Sequence, residues 1–216
     1  MRETIIHKVL EKKIIAIVRG VYGEDCVKLA QALYDGGIEL LEVTFDQSKP
    51  EALSRTSDTV RQLNSCLGDK MVFGAGTVTS LEMLELARDA GCKFIVSPDS
   101  NEEIIKTTVE WGMVSMPGAM TPTEILAAHR WGADFVKVFP VSSLGSGYIK
   151  ALRGPINHVR LLAVGGVNEK NAGEYIKAGA DGVGVGGNLV NKNWIADGEF
   201  EKISELAKEM VRVCEG

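Results

Sequence analysis

Short apolar runs alternate with longer amphipathic segments along the whole chain. The apolar runs are IIAIV (14–18), IELLEVTF (38–45), MVF (71–73), FIV (94–96), MVSM (113–116), DFVKVF (134–139), RLLAV (160–164) and GVGV (182–185). They are rich in Val, Ile and Phe and short enough to be buried parallel strands. Between them, residues 24–35 set Val27, Ala30, Leu33 and Tyr34 on one helical stripe. Residues 80–90 do the same with Leu81, Leu84, Leu86 and Ala87, and 169–178 reads as another helix. Gly36, Gly91, Gly112, Gly132 and Gly179 stand where C-terminal helix caps are expected. Residues 2–12 predict an extra helix before the first strand, and 199–214 a closing one. Eight strands spaced roughly 20–30 residues apart predict an α/β fold, a closed (β/α)8 TIM barrel, with an open doubly wound sheet as the alternative. No linker, low-complexity stretch or charge block divides the chain, so 1–216 reads as one domain.

Composition narrows the function classes. Of 216 residues, 24 are Lys or Arg and 29 are Asp or Glu, a net charge of −5 that disfavours a nucleic-acid partner. A hydrophobic fraction of 45% argues against disorder. No apolar run reaches the roughly 18 residues that a membrane span needs. The first segment, MRETIIHKVLEKKIIAIVRG, has no export-signal pattern. Cys26, Cys66, Cys92 and Cys214 form no CxxC pair, which predicts reduced thiols lying inside or under helices and a cytoplasmic setting. His7, His129 and His158 fall at no metal-ligand spacing, so neither a metal nor another cofactor is expected. Trp111, Trp131 and Trp194 read as packing groups, and no GxSxG anchors a serine triad.

In a barrel the chemistry gathers at the C-terminal ends of the strands. In DFVKVF, Phe135, Lys137 and Phe139 share one face by the two-residue period. A lysine inside so apolar a strand is costly to bury as an ammonium ion. Burial lowers its pKa and leaves a neutral amine able to attack a carbonyl. The alternative is a structural, ion-paired or snorkelling lysine. In ELLEVTF, Leu40, Glu42 and Thr44 share one face, and Glu42 suits general acid/base work or a structural ion pair with Lys137. Arg19, ending the first strand, suits either an anionic substrate group or a surface carboxylate.

Two glycine clusters, AVGGV (163–167) and GVGVGG (182–187), follow the last two strands. Barrel loops in that position often hold a phosphate on backbone N–H groups, although tight turns alone also explain them. GVGVGG matches GxGxxG, but no βαβ unit follows it. GAGTV (74–78) brings Thr77 near a pocket. Asn101 or Ser100 of SPDSN suits a helix cap, as does Thr121 or Thr123 with Glu124 in MPGAMTPTE.

LLEVTF, GAGTV, VSPDSN, MPGAMTPTE, VKVFP, AVGGV and VGVGG occur in the order found in the bacterial 2-keto-3-deoxy-6-phosphogluconate aldolases, which include 4-hydroxy-2-oxoglutarate aldolases. The chain resembles that family over almost its whole length. The resemblance implies a metal-independent class I aldolase on a (β/α)8 barrel, usually a homotrimer, that acts on a small 2-keto acid. Its reaction would cleave a 2-keto-3-deoxy-6-phospho sugar acid to pyruvate and glyceraldehyde 3-phosphate, or 4-hydroxy-2-oxoglutarate to pyruvate and glyoxylate. By motif, Lys137 becomes the Schiff-base lysine and Glu42 the proton-transfer carboxylate. Thr77 and Pro98 line the pyruvate site, and Phe139 packs beside the lysine. Gly165, Gly166, Gly186 and Gly187 form the phosphate site, with Asn188 where serine is usual. The family often reads EVTLRT, PTGG and GGSW where this chain reads EVTFDQ, AVGG and GGNL, so Asp46 stands in place of an arginine. Asp99 stands in SPDSN where glycine is common. Two rival readings remain: a phosphosugar epimerase or isomerase using the same Lys/Glu pair without a covalent intermediate, and a catalytically silent binder of phosphorylated ligands.

Overall fold

The computed structural model describes residues 2–48 and 51–215. Its strands are β1 (Ile14–Val18), β2 (Leu40–Thr44), β3 (Val72–Gly76), β4 (Phe94–Val96), β5 (Val114–Met116), β6 (Gly118–Ala119), β7 (Val136–Val138), β8 (Leu161–Val164) and β9 (Gly182–Val185). Every ladder is parallel, in the order β5-β4-β3-β2-β1-β9-β8-β7-β6. The two ends of that order are one stretch of chain interrupted at Pro117, which has no N–H to give to a ladder. On one side of it, Ser97 N–H donates to Met116 O at 3.3 Å; on the other, Lys137 N–H donates to Pro117 O at 2.8 Å. The sheet thereby comes round on itself as the predicted barrel. The short strand β6 is an addition to the eight apolar runs; two residues are too few for a periodicity to show.

The α-helices among the described residues are α1 (Arg2–Lys12), α2 (Gly23–Asp35), α3 (Glu51–Leu67), α4 (Leu81–Asp89), α5 (Glu102–Glu110), α6 (Pro122–Arg130), α7 (Ser146–Arg153), α8 (Ala172–Lys177), α9 (Lys192–Ala196) and α10 (Phe200–Glu215). The α4 stripe is rotated from the expected one: Met83, Leu84 and Ala87 are buried, while Leu81 is exposed. Asn101 caps α5, and Thr121 with Glu124 forms a capping box on α6 behind Pro122. Gly91, Gly112, Gly132 and Gly179 take positive φ just past helix ends, but after α2 that conformation falls to Gly37, not Gly36. Cys26, Cys92 and Cys214 are buried, and Cys66 is exposed.

Side-chain alternation sorts the core into two layers. Outward residues such as Ala16, Leu41, Val43, Phe73 and Val136 meet the helices. Inward residues Ile15, Leu40, Phe94, Val114, Phe135 and Leu162 fill the barrel, and Ile5, Ile6 and Val9 of α1 join them. Helix α1 therefore plugs the barrel at its N-terminal end, opposite the site. Its charged side chains pin it there: Lys8 and Lys12 to Glu39 at 2.6 and 2.8 Å, and Arg2 to Asp134 at 2.7 Å. Asp134 also accepts Ser115 N–H at 2.9 Å. Just before β7 begins at Val136, the backbone N–H groups of Asp134 and Phe135 both donate to Ser115 O, at 3.0 and 3.2 Å.

Candidate active site

The C-terminal strand ends enclose a cavity of about 380 Å³. Arg19, Glu42, Thr77, Pro98, Lys137, Phe139, Gly165, Gly166, Gly186, Gly187 and Asn188 all line it, so the residues to which the sequence and the family resemblance gave a catalytic or substrate-binding role arrive at one place. Ile17, Val164, Val167, Asn168 and Gly184 complete the wall. The two-residue period of β1, β8 and β9 points to Ile17, Val164 and Gly184 as inward residues, whereas nothing in the local sequence marks Asn168. A larger cavity of about 540 Å³ lies on the outer surface beside α2, α3 and α10 and contains none of these side chains.

Lys137 sits mid-strand in β7 and is only 8% exposed. Burial pulls its pKa below the usual lysine value; Glu42 opposes that fall and Arg19 assists it. Its ammonium lies 4.7 Å from the centroid of the Phe139 ring, and Phe139 is itself 38% exposed at the cavity mouth. Glu42, in β2, is 2% exposed, and burial raises its pKa against the pull of Lys137 and Arg19. Lys137 and Glu42 act on each other electrostatically yet form no direct ion pair. An interposed water or substrate atom can therefore relay a proton between them.

Small residues make room for the carboxylate. A Cβ on Gly76 would lie 1.6 Å from Glu42 Oε1, and one on Gly74 would strike the Phe94 ring at 2.3 Å. The glycines of GAGTV are thus spaces for neighbouring side chains. The next residue, Thr77, holds a left-handed φ of 60° unusual for a β-branched residue. Its Oγ1 accepts a hydrogen bond from Arg19 Nη2 at 3.2 Å, fixing the guanidinium at the rim. Thr44, the next inward residue of β2, is buried, and its hydroxyl oxygen has no hydrogen-bond partner among the described residues. Asp46 is absent from the cavity wall; its Oδ1 accepts Ser48 N–H at 2.9 Å.

At the opposite side of the cavity, Gly165 and Gly166 take φ values of 98° and 78°, a pair of left-handed residues that favours glycine twice over. No described residue accepts a hydrogen bond from the N–H of Gly165, Gly166 or Gly187. Asn188 donates to Glu169 Oε2 at 2.6 Å, which commits one of its two amide hydrogens. His129 and His158 lie together elsewhere, their ring centroids 5.2 Å apart. Among the described residues no group of His, Cys, Asp and Glu is arranged to hold a metal ion.

Residues 5–206 match the model of the KDPG and KHG aldolase family. The chain is similar to the 2-dehydro-3-deoxy-6-phosphogalactonate aldolase of Escherichia coli (strain K12), 34% identical over 82% of this chain and 83% of that one. It is also similar to the 2-dehydro-3-deoxy-phosphogluconate aldolase of Treponema pallidum (strain Nichols), 32% identical over 97% of each. Among solved structures it resembles KDPG aldolase from Legionella pneumophila, in which pyruvate was captured as a covalent carbinolamine. The TM-score is 0.83 at 27% identity, covering 95% of this chain and 97% of that one.

Proposed function

The chain belongs to the KDPG and KHG aldolase family, and from that premise we propose that it cleaves a 2-keto-3-deoxy-6-phospho sugar acid to pyruvate and glyceraldehyde 3-phosphate through a Schiff base on Lys137. As an aldolase it is a carbon–carbon lyase. The observation that carries the mechanism is a buried lysine of lowered pKa facing a buried carboxylate without pairing to it. Among the residues lining the cavity, no other side chain combines nucleophilicity with that environment.

The neutral Lys137 amine attacks the C2 keto carbon to give a carbinolamine, and loss of water leaves a protonated Schiff base. As the C3–C4 bond breaks, its electron pair passes into the C2–C3 bond and onto the imine nitrogen, forming an enamine. Glu42, through a water, takes the C4 hydroxyl proton so that C4 leaves as an aldehyde. The same carboxyl then protonates the enamine at C3, and hydrolysis frees pyruvate and the amine. A raised pKa suits Glu42 to this two-way proton traffic. Phe139 shields one side of the imine, Thr77 and Pro98 bound the pyruvate end, and Arg19 meets an anionic group. The glycine amides offer neutral donors for the phosphate.

The test is reduction with borohydride in the presence of pyruvate, followed by peptide mass spectrometry. We expect a pyruvyl adduct on Lys137; an unmodified Lys137 overturns the mechanism. A lactate-dehydrogenase-coupled assay on the gluco and galacto 6-phospho epimers, their unphosphorylated forms and 4-hydroxy-2-oxoglutarate then ranks the substrates. Light scattering on the same sample tests the homotrimer that the family implies.

A further inference from the structure

A second, smaller cavity of about 240 Å³ shares Ile17, Arg19, Gly186 and Gly187 with the first and adds Val190 and Lys192. The Gly186–Gly187 turn is thus a wall common to both, with Arg19 and Lys192 as the cations of the smaller one. Lys192 Nζ lies 3.1 Å from where a Cβ on Gly20 would stand, and Gly20 has a φ of 71° that disfavours a side chain. The ammonium therefore occupies space that a larger residue at 20 would take. No carboxylate pairs with Lys192 among the described residues.

We propose that Lys192 binds the terminal phosphate of the substrate across the Gly186–Gly187 turn. The inference rests on the phosphorylated substrate proposed above. A phosphate monoester brings about −1.5 to −2 charges at pH 7, in addition to the substrate carboxylate. The main cavity has two cationic side chains, and Lys137 must be neutral to attack. Arg19 is tied to Thr77, and Glu169 places a carboxylate beside the glycine loop through Asn188. The glycine amides alone leave the phosphate charge unbalanced, and Lys192 is the cation placed to offset it.

Lys192 is exposed at the start of α9, so Lys192→Met and Lys192→Arg test the role without burying or exposing a core group. With the phosphorylated substrate, Lys192→Met is expected to raise KM roughly tenfold and leave kcat unchanged. KM for the unphosphorylated acid stays put, and Lys192→Arg recovers most of the loss. The dissociation constant of inorganic phosphate, read by calorimetry, should weaken by a similar factor. An unchanged KM and phosphate affinity in Lys192→Met, or an equal rise for both acids, overturns the proposal. If the wild-type chain releases no pyruvate from any of these acids, the aldolase reading fails, while the phosphate titration still decides the role of Lys192.

Discussion

At the scale of single residues, Lys137, Glu42 and Arg19 tune one another. The carboxylate raises the pKa of Lys137, so removing its charge lets the amine lose its proton at a lower pH. In Glu42→Gln the acidic limb of pyruvate trapping is therefore expected to move to lower pH. Cleavage is meanwhile expected to slow by about 100-fold or more, because the proposed proton carrier is gone. The pH dependence of borohydride trapping and steady-state kcat check both halves; cleavage within a few-fold of wild type would remove Glu42 from the reaction. Lys137 and Glu42 were legible because a charged residue inside an apolar strand is conspicuous and alternation tells which way it faces. The left-handed backbone of Thr77, the Asn188–Glu169 hydrogen bond and the nearness of Lys192 were not. Each depends on how a loop meets a neighbour distant in sequence.

Between elements, the spacing of strands and helices was readable, but the reasons for individual small residues were not. Gly36 occupies a cap-like place after α2, yet its φ is −86°. What requires glycine there is α10: a Cβ would lie 2.3 Å from Ala207 Cβ and 2.7 Å from Ser204 O. Gly36→Ala is accordingly expected to cost about 1–3 kcal/mol by overpacking, read as a lower urea midpoint, with the pyruvate adduct still forming. Unchanged stability would mean that α10 shifts freely, contrary to the packed seam. The α4 stripe shows the same limit: periodicity located the helix, while its neighbours set the rotation that buries Met83 and exposes Leu81.

For the molecule as a whole, the barrel has a sealed end and an open end. Ile5, Ile6 and Val9 close the floor, and the cavity opens at the roof. Ile6→Ala should destabilise the fold by about 2–4 kcal/mol, with substrate KM unchanged. Chemical denaturation measures the first and steady-state kinetics the second; a shifted KM would show that the floor shapes the site.

The sequence by itself determined the alternation of strand and helix, the inward placing of Lys137 and Glu42, and the presence of glycine-rich turns after the last strands. Those features follow from backbone periods and from the cost of burying charge, which are local rules. The tertiary structure alone decided that Lys137 and Glu42 approach without pairing, that Gly76 exists to admit the carboxylate, and that Asp46 stays out of the cavity. It also decided that Lys192 comes to the outer wall of the glycine turn. Barrel closure sets distances between residues far apart in the chain, and those distances depend on how every strand and loop packs at once.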